Sequence, residues 1–140
     1  MRLTRKAAVA GALFALTSVF TLAACSDDSS PGVVDLSGAY EVTAIWQGLP
    51  GETPVLAPIT GTADLTTTTY NINIPGVAAS EGTYEAFDNG TFTQDGTTTI
   101  PGQDPIETQC TGTYTLVNSV LTIDTTCQGS RTVTQLEPLD

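Results

Sequence analysis

The sequence contains no histidine, and only four bases stand against 15 acids among its 140 residues, for a formal net charge of −11. Histidine is the usual general base near neutrality and the commonest metal ligand, so its absence removes the ordinary form of both chemistries. The bases are confined almost wholly to the start: after Arg2, Arg5 and Lys6 only Arg131 remains. So acidic a surface repels phosphate backbones, which excludes nucleic acid as a partner. No Cys-x-x-Cys, phosphate-binding glycine loop or metal-spaced cluster occurs, and no serine or threonine has an evident base beside it. Asp88, Asp95 and Asp104 fall in turns marked by glycine or proline, where turn chemistry accounts for them. The run from Asp88 to Asp95 lacks the ligand spacing and closing glutamate of a calcium loop. No enzyme, cofactor or metal is expected.

What is present begins with a leader. Its basic start precedes an apolar stretch from Ala7 to Ala24, the layout of a secretory signal. The stretch ends in Leu22-Ala23-Ala24-Cys25, which resembles the bacterial lipobox, a leucine and two small residues before a cysteine. The resemblance implies a signal peptide over 1–24 and a lipidated Cys25 as mature N-terminus, with palmitate among its two or three acyl chains. Two chains hold a protein stably on a membrane, at about 0.8 kcal/mol per buried CH₂. Ser26 after the cysteine, by resemblance to diderm lipoproteins, points to the outer membrane. Removal of 1–24 leaves 116 residues with 15 acids and one base, a net charge of −14. Residues 25–36 read as a flexible tether and 37–137 as the folded domain.

That domain reads as all-β. Threonine supplies 23 of the 116 mature residues, and a β-branched hydroxyl side chain suits a half-exposed strand. Turn signals recur at Pro50-Gly51, Pro75-Gly76, Asn89-Gly90, Asp95-Gly96 and Pro101-Gly102, the spacing of a sandwich or barrel. Tyr40, Val42, Ala44 and Trp46 alternate onto one face, as do Tyr70, Ile72 and Ile74. A three-residue loop of Asp88, Asn89 and Gly90 pairs Ala86 with Phe92, gathers Tyr84, Ala86 and Phe92 on one face and leaves Phe87 outside. A two-residue Asn-Gly loop, the alternative, pairs Phe87 with Phe92. Between Leu65 and Tyr70 the phase changes at a bulge or an unmarked turn among Thr66 to Thr69.

The late cysteines are the sharpest signal. With Asn118-Ser119 as a two-residue hairpin loop, Val117 faces Val120, Tyr114 faces Ile123 and Cys110 faces Cys127. That last pair falls at a non-hydrogen-bonded position, where Cα atoms approach to about 4.5 Å and a cross-strand disulfide fits. The same register puts Tyr114, Leu116, Leu121 and Ile123 on the cysteine face, so a Cys110–Cys127 disulfide is expected.

Gly38-Ala39-Tyr40 at the first strand, and Gly112-Thr113-Tyr114 before the Val120–Ile123 strand, resemble the bacterial lipocalin-like lipoproteins over roughly residues 36–137. The resemblance implies an antiparallel up-and-down barrel of about eight strands whose interior holds an apolar molecule. Tyr40 stands where lipocalins usually carry tryptophan, and Arg131 matches the arginine that packs over it. Barrel closure brings Arg131 over Tyr40 or Trp46. The residues expected around a small hydrophobic or amphipathic ligand are Val42, Trp46, Tyr70, Ile72, Tyr84, Phe92, Tyr114, Ile123 and Arg131. The alternative is a structural or interaction protein of the cell envelope, its barrel filled and its threonine-rich outer face turned to a partner.

Overall fold

A computed structural model describes residues 31–139; the expected signal peptide, Cys25 and the tether up to Ser30 lie outside them. Eight strands follow one another: β1 (Gly38–Gly48), β2 (Ala57–Leu65), β3 (Thr69–Ile74), β4 (Ala78–Ala86), β5 (Thr91–Thr99), β6 (Ile106–Val117), β7 (Val120–Cys127) and β8 (Ser130–Pro138). Each pairs antiparallel with the next, and β8 returns to β1, so the sheet is a closed up-and-down barrel. Closure leaves no sheet edge exposed to another chain. No helix occurs among the described residues.

Turn chemistry sets the registers. Asn118 and Ser119 both take positive φ, 52° and 69°, as a type I′ loop requires. The strands it joins pair as expected, from Val117 with Val120 to Cys110 with Cys127. The loop after Phe87 holds Gly90 at φ 88° and pairs Ala86 with Phe92, the three-residue alternative. The phase change after Leu65 is a turn rather than a bulge: Leu65 pairs with Tyr70, and the Thr66 amide donates to the Thr69 carbonyl at 2.9 Å. Hydroxyls replace glycine here, since Thr66 Oγ1 accepts from the amides of Thr68 and Thr69.

One face assignment is overturned. The register of β1 slips between Val42 and Ala44 against both β2 and β8, which marks a bulge at Thr43. A bulge moves every later side chain to the opposite face. Val42 lies inward opposite Leu136, but Ile45 then pairs with inward Thr134, and Trp46 with Val133. Ala44 and Trp46 therefore face outward, not into the barrel with Tyr40 and Val42.

One end of the barrel is solid. Tyr40, Val42, Ala63, Leu65, Tyr84, Ala86, Phe92, Leu121 and Leu136 belong to one buried cluster, with Tyr114 packed against it. Tyr84 stacks on Phe92 with ring centroids 5.6 Å apart, and Tyr114 meets Phe92 edge-on at 6.4 Å. The incoming chain caps this end. Val34 donates to the Ala86 carbonyl, Asp88 donates to Gly32, and Leu36 is 4% exposed. Residues 32–36, expected in the flexible tether, are thus packed onto the barrel, because Leu36 and Val34 have apolar surface to bury.

Two tyrosines anchor the cap. The Tyr40 hydroxyl donates to Leu36 at 2.8 Å and that of Tyr84 to Thr66 at 2.6 Å. Burial pushes both phenols above their ordinary range, and the Asp35 carboxylate adds to it; a contact with the Leu36 backbone offsets part of the effect at Tyr84. A raised phenol contributes stability that is complete below the unfolded value of about 10 and is lost as pH climbs through the folded value. Thermal melts should therefore fall steeply above about pH 10, and Tyr40→Phe/Tyr84→Phe should flatten that fall. An alkaline limb identical in the double variant would show that other groups cause it.

Candidate functional site

Toward the other end the interior opens. Side chains there are smaller: Gly61, Ala78, Ser80, Gly82, Gly96, Thr98 and Thr108 stand where the solid end has aromatics and leucines. Gly82 and Gly96 face each other across β4 and β5. A Cβ on Gly82 would run into the Asp95 carbonyl, and one on Gly96 into that of Glu81 and the Tyr70 hydroxyl. Paired glycines let the two backbones lie closer here than a side chain would allow.

The result is a cavity of about 330 Å³. Its apolar wall includes Ile45, Ile72, Ile74, Ile100, Ile106 and Ile123, and its polar wall includes Gln47, Ser80, Gln94, Thr98, Thr125 and Thr134. The Cys110–Cys127 disulfide, Cα atoms 4.3 Å apart, forms part of its side. The loops after β1, β3, β5 and β7 surround the mouth, away from the capped end. A larger depression of about 680 Å³ lies on the outer surface among outward residues such as Thr83, Glu85, Thr93 and Asp95, and it does not enter the barrel.

Of the expected ligand residues, Ile72 and Ile123 line the cavity. Val42, Tyr84 and Phe92 are packed in the solid end, with Tyr114 against them. Tyr70 is buried, its hydroxyl bonded to Ser80 Oγ at 3.2 Å, and Thr98 donates to the same oxygen at 3.1 Å. The interior role expected of Trp46 and Arg131 is corrected: both sit on the outer wall. Arg131 lies 5.6 Å over the Trp46 ring, pairs with Asp124 through Nε and a terminal nitrogen at 2.9 and 2.7 Å, and donates to the Glu52 carbonyl at 3.0 Å. These hydrogen bonds hold the Asp124 carboxyl below its usual range, against the opposite push of partial burial.

Sequence reading missed Ile45, Gln47, Ser80, Gln94, Thr98, Thr125 and Thr134. A usable signal existed for four of them, Thr125 among them, since the register that pairs Cys110 with Cys127 sets it on the cysteine face. Once Ala86 pairs with Phe92, the same register sets Tyr84 against Gln94 and Ser80 against Thr98, all on the Phe92 face. Ile45 and Gln47 were hidden by the Thr43 bulge.

No protein-family model, curated protein or solved structure matches the chain. The class is set by geometry alone: a closed eight-stranded antiparallel barrel, solid at one end and hollow at the other.

Proposed function

We propose that this protein is a lipid-anchored binding module of the bacterial cell envelope, resembling the lipocalin-like lipoproteins, which takes a small hydrophobic or amphipathic molecule into the open half of its barrel. The observation that carries the reading is the cavity of about 330 Å³ with an isoleucine wall. That volume is at the lower end of ligand pockets, which run from about 300 to 1,000 Å³. The lipobox-like Leu22-Ala23-Ala24-Cys25 supports the anchor.

The test is saturable one-to-one binding of N-phenyl-1-naphthylamine, a neutral fluorescent probe. Ser80→Phe fills the cavity from an inward position and should abolish binding, whereas Trp46→Ala, on the outer wall, should leave it unchanged. A folded protein that binds no probe would favour the envelope interaction protein instead. The anchor is tested separately, by incorporation of labelled palmitate that is lost in Cys25→Ala.

A further inference from the structure

We infer that the part of a ligand held inside this barrel carries no charge of either sign and meets the wall through hydroxyl or amide hydrogen bonds as well as apolar contact. The inference rests on the cavity-binding reading above and names the class of molecule that site takes.

The chain carries 15 acids, yet no aspartate, glutamate, lysine or arginine borders the cavity. The one base among the described residues, Arg131, is committed outside to Asp124, Trp46 and the Glu52 carbonyl. An ion brought inside without a counter-charge keeps its full desolvation penalty, and an acid would take up its proton before entering. The acidic exterior opposes the approach of anions as well.

The wall is nevertheless not simply oily. Thr125 and Thr134, 5% and 9% exposed, lie on adjoining strands and border the cavity. Neither side chain hydrogen-bonds another described residue, and among those residues no sealed-off side-chain polar atom lacks a partner. Their hydroxyls are therefore open to the cavity, facing an incoming donor or acceptor. Gln94, from β5, adds an amide with both functions. Unmet hydroxyls beside isoleucine select a neutral molecule with one hydrogen-bonding side, since a purely apolar guest would leave them unpaired.

The experiment compares two rigid probes of nearly one shape, neutral N-phenyl-1-naphthylamine and its anionic 8-sulfonate, on the folded protein at neutral pH. The neutral probe should bind tighter by a factor of about 100 or more, because the sulfonate finds no partner inside. Gln47→Lys places a cation at the mouth and should improve sulfonate binding about tenfold. As competitors, 1-naphthylmethanol should displace the neutral probe and 1-naphthylmethylammonium should not. Equal affinities for the two probes, displacement by the ammonium compound, or no gain in Gln47→Lys would overturn the inference and leave the cavity reading standing. Failure of the neutral probe to bind, or neutral-probe binding indifferent to Ser80→Phe, would sink both.

Discussion

Phe92→Ala is expected to cost about 3–5 kcal/mol, a large share of the stability of a domain this size. Phe92 is 2% exposed and is the largest side chain among those almost wholly enclosed. Its ring holds together two others, Tyr84 stacked on one side and Tyr114 edge-on, so truncation removes both aromatic contacts as well as buried area. Neighbours offer little relief. Tyr84 and Tyr114 are pinned by hydroxyl bonds to the Thr66 and Phe87 carbonyls and cannot swing into the space without breaking them. Urea unfolding, read as a shift in midpoint at unchanged slope, measures the effect. A loss below about 1 kcal/mol would mean that the ring is not packed as described.

Why some of this was readable from sequence and some was not has a physical basis. The β6–β7 hairpin was legible down to the paired cysteines because Asn118-Ser119 admits one loop length, and a two-residue loop fixes every later pair by counting. Alternation and closely spaced turns pointed to a sandwich or a barrel without choosing between them. Counting failed where the chain inserts a residue without a marker. Thr43 looks like any outward threonine, yet as a bulge it exchanges the faces of Ile45 and Trp46, and with them the supposed ligand tryptophan. The turn at Thr66–Thr69 was similarly hidden, since threonine hydroxyls do there what glycine or asparagine usually signals. The cavity wall was invisible for another reason. Ser80, Thr98, Thr125 and Thr134 have the composition of solvent-facing positions, so even where register puts them on an apolar face, nothing in the sequence marks that face as the wall of a cavity. Alternation distinguishes two faces; it does not say that the inner one is partly hydroxylated.

Reduction of the Cys110–Cys127 disulfide is expected to lower the melting temperature by roughly 10–20 °C while leaving a folded barrel. The two residues are 17 apart in sequence, and in the chain-entropy account closing a loop of that length removes about 3 kcal/mol of freedom from the unfolded chain. The folded state needs no rearrangement to lose the bond. Its register is set independently by the Asn118-Ser119 turn and by Tyr114–Ile123 and Leu116–Leu121 pairing on the same strands. The expectation is therefore a destabilised protein rather than a misfolded one, with the far-ultraviolet spectrum of the oxidised form below its new melting point. Dithiothreitol on the native sequence is the cleaner measurement, since Cys110→Ala/Cys127→Ala also opens space beside a buried sulfur. The variant should accordingly melt below the reduced native protein. Both cysteines border the cavity, so reduction also tests the wall: neutral-probe affinity at low temperature should stay within about threefold if backbone pairing, and not the covalent bond, shapes the site. A melting shift of only a few degrees would show that the unfolded chain is already held compact across this hairpin.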